Sequence, residues 1–180
     1  MEDFYEFVRR LVDSFSRAGL DYAFTGALAV SLYGLPRTTT DVDVVVAVSG
    51  LDVKGKVASA LRRAGIDVGE RKLDSALTSG YRVASFRDKA TPYTLDVIFL
   101  DGTLRKRAGT VDGVSTFFQA PEDLILAKLR MIRATVPRER TVKDEEDVKA
   151  ILAFTKVDLE AVKKQAKKDK TLAILEGLFE

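Results

Sequence analysis

The spacing of apolar side chains divides the chain into a first part with helices and strands and a later part with helices alone. Apolar residues at intervals of three and four predict helices over 2–18, 27–33 and 53–64, with one or two helical turns near 71–78. Apolar runs and alternations predict strands at 21–25, 41–48, 81–87, 93–100 and 114–118, and a short edge strand at 66–68. Beyond residue 118 the spacing predicts helices at 121–134, 144–154, 159–168 and 171–179.

This order of elements predicts an α/β layout up to residue 118, followed by a helical extension. We therefore divide the chain into a core, 1–118, and a C-terminal extension, 119–180. Strands 81–87 and 93–100 are separated by a short turn, so we expect them to form a hairpin.

The composition restricts the chemistry that the chain can perform. The 180 residues include no Cys and no His, which excludes disulfides, thiol nucleophiles, imidazole catalysis and zinc sites built on Cys or His. A bound metal would need oxygen ligands, which favours Mg²⁺ or Mn²⁺. The net charge of +2 does not by itself indicate nucleic-acid binding.

The compartment and source are also predicted from composition. The sequence shows no signal peptide and no apolar run of the roughly 18–20 residues that span a bilayer, so we expect a cytoplasmic protein without membrane association. Asn, His, Cys and Trp are absent while 31% of the residues are charged, which is typical of a thermophilic source.

Two acids stand at the start of the strand that is richest in valine. Asp41 and Asp43 lie two positions apart, so their side chains share one face of the sheet at roughly 6.5–7 Å along the strand. Such a pair can bridge metal ions. The alternative is that Asp41 caps the strand end and Asp43 is solvated at a sheet edge.

A third acid, Asp96, is the single charge in the apolar strand at 93–100. A carboxylate in a buried strand needs a cation. If this strand lies beside the strand of Asp41 and Asp43, three carboxylates converge, which suits two Mg²⁺ ions and phosphoryl or nucleotidyl transfer. The alternative is a salt bridge between Asp96 and a neighbour such as Arg82.

The string formed by Gly26 and Ala27, thirteen further residues, Asp41-x-Asp43 and a later Asp96 resembles the nucleotidyltransferase superfamily related to DNA polymerase β. The resemblance implies a short mixed sheet flanked by helices and the transfer of NMP from an NTP to a hydroxyl. In that scheme the three acids hold two Mg²⁺ ions, and Gly26 with the N–H of Ala27 holds the triphosphate. Ala27 departs from the pattern because many relatives have Ser there.

The inner string G-A-x-A-V-x-x-x-G-x-x-R-T-T-x-D-V-D is similar to one branch of that superfamily, the AbiEii-type toxins. The later motifs of that branch match Lys128, Arg133, Asp144 and Asp147. Lys128 interrupts an apolar stripe, which suits either the nucleotide phosphates or an interhelical salt bridge with Asp147. Arg37 either binds a phosphate or pins its loop.

The branch resemblance implies a macromolecular acceptor, such as tRNA or a protein, and a setting in a toxin–antitoxin or defence system with a partner protein. Two other classes remain open. One is a small-molecule nucleotidyltransferase of the antibiotic-modifying type, which needs an acidic acceptor pocket. The other is a non-catalytic module that binds nucleotide or acts as an antitoxin-like partner. The basic runs 105–107 and 163–170 are interpreted as solvated surface.

Overall fold

The computed structural model describes residues 4–50 and 52–179, which form eight α-helices, a 3-10 helix and six strands. Residues 2 and 3 of the predicted first helix lie outside the described residues. The helices are α1 Phe4–Arg17, α2 Gly26–Tyr33, α3 Val53–Arg63, α4 Glu70–Thr78, α5 Pro121–Ala134, α6 Val142–Phe154, α7 Leu159–Lys168 and α8 Leu172–Gly177, with the 3-10 helix at Arg138–Thr141. The strands are β1 Tyr22–Phe24, β2 Asp41–Ala47, β3 Val83–Arg87, β4 Thr94–Leu100, β5 Lys106–Val111 and β6 Val114–Gln119.

All six strands form one mixed sheet in the order β3-β4-β2-β1-β6-β5. The pairs β2–β4 and β1–β6 are parallel, and the other neighbours are antiparallel, including the predicted hairpin of β3 and β4. The predicted fold class, an α/β fold with a short mixed sheet flanked by helices, is confirmed. The sheet brings β2 next to β4 although about fifty residues separate them in sequence.

Strand β2 has a fully buried face and a partly open face. Val42, Val44 and Val46 are completely buried, whereas on the other face Asp41 is exposed and Asp43 is half-buried. Branched valines are well suited to the pleated surface, and their burial stabilises the centre of the sheet. Strand β4 alternates in the same way, so the two central strands present their acids on the open face.

The contacts divide the chain into two compact units, which are described separately. The sheet unit comprises the described residues up to Leu28 and Thr38–Gln119. The helical unit comprises Ala29–Arg37 together with the described residues from Ala120 onward. Most of helix α2 and the segment after it therefore group with the C-terminal helices, a grouping that the division at residue 118 did not include.

Inside the helical unit, the segment 29–37 is held against the C-terminal helices at several points. A Cβ added to Gly34 would lie 3.0 Å from Cβ of Ala150 on α6, a tight contact that the absence of a side chain at Gly34 avoids. The hydroxyl of Thr155 donates a hydrogen bond to the carbonyl of Tyr33. Helices α5 and α6 pack together and bury Leu129, Val148 and other apolar side chains.

Two predicted elements differ from the structure. The edge strand at 66–68 is wrong, because this segment forms only an isolated bridge between Ile66 and Asp88. Strand β5 was not predicted, because its residues are mainly exposed and its sequence, KRAGTV, has no apolar alternation. In the described part of the chain, no helix has both the length and the apolar character needed to span a bilayer.

Candidate functional site

The three predicted acids lie on two adjacent strands. In the parallel pair β2–β4, Asp43 lies directly opposite Asp96 and Asp41 opposite Thr94. Opposite residues of neighbouring strands project to the same face, and strands are spaced by roughly 5 Å, so Asp43 and Asp96 are side by side. The condition stated in the sequence analysis, that the strand of Asp96 lies beside that of Asp41 and Asp43, is met. We call these three residues the carboxylate edge.

Two acids of the carboxylate edge, Asp41 and Asp96, form no ion pair within residues 4–50 and 52–179. Thr94 donates its hydroxyl hydrogen to Oδ1 of Asp41. In residues 4–50 and 52–179, no hydrogen bond or ion pair engages the half-buried carboxylate of Asp96. The salt bridge to Arg82 that was considered as an alternative is not formed, because Arg82 pairs with Asp101 at 2.5 Å.

The glycine turn before α2 is packed against Asp43. The N–H of Thr25 donates to the carbonyl of Asp43 at 2.9 Å, which extends the β1–β2 ladder to the turn. Gly26 has φ +56°, a left-handed backbone conformation that is strained for residues with a side chain. In addition, a Cβ built on Gly26 would collide with the carboxylate of Asp43. The turn can therefore approach the acid only because residue 26 is glycine.

The donor set of the carboxylate edge fits a hard divalent cation. Carboxylate oxygens are the ligands that Mg²⁺ and Mn²⁺ prefer, and Asp96 lacks a cation from the described residues. Among the described residues, however, no three acidic side chains are already grouped as a metal cage. Mg²⁺ commonly binds through one or two carboxylates with water and substrate phosphate, which does not require such a cage.

Four other predicted residues form a separate cluster in the helical unit. The carboxylate of Asp147 on α6 accepts from Arg37 through Oδ1 and lies 2.7 Å from Nζ of Lys128 through Oδ2. Lys128 on α5 also donates to Oδ1 of Asp144 at 2.8 Å. Asp147 is only 4% exposed, and both of its carboxylate oxygens are engaged by cations of the protein. We call these four residues the ion-pair cluster.

The cluster is charge-balanced, with two cations and two acids. Both structural alternatives raised from the sequence are present in it, namely the pair of Lys128 with Asp147 and the pinning of the Arg37 segment. The remaining residue of the later motifs, Arg133, donates instead to the carbonyl of Asp169, whose carboxylate is bound by Arg130. Binding of nucleotide phosphates by Arg37 and Lys128 stays a prediction.

Three polar residues of the carboxylate face were missed from the sequence. In β3, Ser85 lies opposite Asp96 and Arg87 opposite Thr94, so both share the face of the acids. Thr94 itself contacts Asp41. The alternation of β3 and β4 was visible in the sequence, and pairing it with a hairpin register would have placed Ser85 and Arg87 next to the site.

Comparisons with solved structures show the fold of nucleotidyltransferases. A crystal structure of ANT(2'')-Ia in complex with adenylyl-2''-tobramycin matches with TM-score 0.67 and 12% identity, covering 92% of this chain and 96% of that chain. A solution structure of the antibiotic-resistance factor ANT(2'')-Ia gives 0.68 and 15%, covering 96% and 95%.

A third match is a nucleotidyltransferase-like protein from Paracoccidioides brasiliensis, with TM-score 0.55 and 14% identity over 82% of this chain and 75% of that chain. No family model and no curated protein matches the sequence. The comparisons therefore show a fold shared with nucleotidyltransferases, and they do not test the resemblance to the AbiEii-type branch.

Proposed function

We propose that the chain is a nucleotidyltransferase that transfers NMP from an NTP to an acceptor hydroxyl and releases pyrophosphate. The observation that carries this proposal is the side-by-side placement of Asp43 and Asp96, with the turn at Gly26 packed against Asp43. The shared fold of the nucleotidyltransferases described above supports it.

The proposed roles follow from position. Gly26 and the N–H of Ala27, at the positive end of α2, bind the triphosphate, since backbone N–H groups at a helix start favour anions. Asp96 orients the acceptor hydroxyl and accepts its proton as the hydroxyl oxygen bonds to the α-phosphorus. The bond from that phosphorus to the bridging oxygen breaks, and pyrophosphate leaves with the electron pair.

Asp41, Asp43 and Asp96 would hold Mg²⁺ or Mn²⁺. When bound, the metal supplies charge neutralisation for the triphosphate and lowers the pKa of the attacking hydroxyl. Ala27 lacks the hydroxyl of the Ser in the resembled pattern, so triphosphate binding relies on the backbone at that position. Lys128 and Arg37, and the supporting roles of Arg133, Asp144 and Asp147, belong to the proposal as groups that hold the surrounding segments or the phosphates.

Two acceptor classes follow from different observations. The resemblance to AbiEii-type toxins favours a macromolecule, tRNA or protein, in a toxin–antitoxin or defence setting. The full-length structural likeness to ANT(2'')-Ia, which was crystallised with adenylyl-2''-tobramycin, favours a small amino-sugar acceptor as the second candidate. A non-catalytic nucleotide-binding partner module is the outcome if NTP binds without transfer.

The test is NTP binding by calorimetry with and without Mg²⁺, followed by incubation with each α-labelled NTP and either total cellular RNA and protein or tobramycin. We expect Mg²⁺-dependent binding by the wild-type chain, its loss in Asp41→Ala/Asp43→Ala, and label in one acceptor class. Absence of NTP binding by the wild-type chain would overturn the proposal.

A further inference from the structure

The open face of the sheet aligns side chains in two rows across β3, β4 and β2. The register places Arg87, Thr94 and Asp41 in one row. The second row consists of Ser85, Asp96 and Asp43. Because neighbouring strands are roughly 5 Å apart, Ser85 is one strand and Arg87 two strands away from an acid in its own row.

Arg87 is an exposed cation on this face without a partner in the described part of the chain. Thr94, between Arg87 and Asp41 in the row, gives its hydroxyl hydrogen to Asp41, and no hydrogen bond joins its hydroxyl to the guanidinium in the described ranges. An arginine held beside a set of acids on an edge strand, yet not paired with them, remains available for a phosphate.

A groove of about 340 Å³ adjoins the same strand, between α4 and β3. It is lined by Arg71, Lys72, Ser75, Val83, Ala84 and Ser85. Two cations and two hydroxyls line it and no acid does. Lys72 Nζ lies 3.3 Å from the carbonyl of Ser85, which holds the ammonium at the groove, and the guanidinium of Arg71 is unpaired within the described ranges. This lining suits an anion and repels a polycation.

The two sides of the carboxylate edge differ in what they offer. On the β1 side, the turn at Gly26 contacts Asp43 and provides the proposed triphosphate site. On the β3 side, Ser85 neighbours Asp96 and leads to the groove. In-line displacement needs the attacking and leaving oxygens on opposite sides of the phosphorus, so the acceptor belongs on the β3 side.

We propose that Arg87 and the groove between α4 and β3 bind the phosphodiester backbone of a nucleic-acid acceptor whose terminal hydroxyl lies at Asp96. This inference rests on the proposed function and names its acceptor class. The strand's terminal 3'-oxygen bonds to the α-phosphorus of the NTP, its proton goes to the Asp96 carboxylate, and pyrophosphate leaves. A polycationic amino sugar would meet Arg87, Arg71 and Lys72 on this side and is disfavoured.

The test measures binding of fluorescently labelled single-stranded RNA and DNA octamers with free 3' hydroxyls by anisotropy, over a range of salt, in parallel with calorimetric binding of MgATP. The variants are Arg87→Glu and Arg71→Glu/Lys72→Glu, checked for folding by circular dichroism. Lys164→Glu/Lys167→Glu on α7 is the matched control, because it reverses exposed lysines of the helical unit.

We expect Arg87→Glu to weaken octamer binding about tenfold or more and to reduce the salt slope by roughly 0.7–1, while MgATP affinity is unchanged and the α7 control binds like the wild type. Comparison of the RNA and DNA octamers shows whether the acceptor carries ribose or deoxyribose. Octamer binding that survives both β3-side variants, or is lost only in the α7 control, would overturn the inference, as would MgATP binding with no octamer binding. Absence of binding of any Mg²⁺-loaded NTP, with CTP, GTP and UTP tested as well as ATP, would instead refute the proposed function itself.

Discussion

The carboxylate edge and the ion-pair cluster both gather acids, but they differ in how those acids are neutralised. In the ion-pair cluster, the buried carboxylate of Asp147 is bound by two cations of the same chain. At the carboxylate edge, neither Asp41 nor Asp96 forms an ion pair with any residue in the described ranges. A charge removed from water is costly without a partner, so the ion-pair cluster is satisfied within the chain, whereas the half-buried carboxylate of Asp96 leaves a place for the cation proposed above.

The largest expected effect is on stability, from removal of Asp147. Asp147→Ala leaves Arg37 and Lys128 as neighbouring cations without their shared acid and should lower the free energy of unfolding by about 3–5 kcal/mol. Urea denaturation measures this. The control, Asp144→Ala, should cost about 1 kcal/mol because Lys128 keeps Asp147. Equal costs for the two variants would contradict the bridging role.

The opposite behaviour is expected at the carboxylate edge. Asp96→Asn should keep the free energy of unfolding within roughly 0.5 kcal/mol of the wild-type value, since no described residue loses a partner. Transfer of labelled NMP should fall at least about a hundredfold, equivalent to roughly 2.7 kcal/mol. Undiminished transfer in Asp96→Asn would remove this residue from the reaction.

The backbone of the glycine turn at Gly26 provides a further test of the carboxylate edge. Gly26→Ala should cost about 1–2 kcal/mol of stability for the left-handed conformation, and more because its Cβ collides with the Asp43 carboxylate. Gly19→Ala is the matched control, with φ +61° and no atom within 4 Å of the added Cβ. If thermal or urea denaturation gives the same loss for both, the contact with Asp43 is not the constraint.

A smaller expected effect is stabilisation by Mg²⁺, which should depend on the carboxylate edge and not on the ion-pair cluster. Mg²⁺ at ten times its dissociation constant should stabilise the wild-type chain by about 1.4 kcal/mol. The gain should vanish in Asp43→Asn/Asp96→Asn and persist in Asp144→Asn. Thermal denaturation with and without Mg²⁺ measures it, and stabilisation that depends on Asp144 instead would reverse our assignment of the metal site.

The smallest expected effect concerns the exposed ion pair of Lys54 with Asp74, which lies outside both the carboxylate edge and the ion-pair cluster. The hydrogen bond to Asp74 raises the pKa of Lys54 above its ordinary value of 10.5. The pair's contribution to stability is therefore complete below pH 10.5 and is lost as the pH rises through the raised pKa. Because both groups are solvated, Lys54→Met should be indistinguishable from the wild type in urea denaturation at pH 7.

The sequence was sufficient for the elements that local pattern determines. The valine run of β2 and the lone Asp96 within β4 predicted both strands and their acids, and burial of the surrounding apolar residues makes that pattern strong. The exact register of Asp43 opposite Asp96 depends on long-range pairing, which no local pattern encodes.

Contacts between segments that are distant in the sequence were the main features that could not be predicted. The pair of Arg37 and Asp147 joins residues 110 positions apart, and the sequence suggested loop pinning or phosphate binding for Arg37 without naming the acid that it contacts. Strand β5 is polar and lies at the edge of the sheet, where side chains need no apolar alternation. The sequence placed Arg87 only within an alternating strand. The pairing of β3 with β4 places it opposite Thr94, on the face of the acids.

The grouping of residues 29–37 with the C-terminal helices has a consequence for how this chain can be divided. A fragment that ends at Gln119 would keep this segment in mid-sequence, between Gly26 and Asp41, while deleting Ala150, Thr155 and Asp147, which hold it. The fragment would expose Tyr33 and leave Arg37 without its acid. The two units are therefore not interchangeable modules, and a chimaera that exchanges the helices must exchange the segment 29–37 with them.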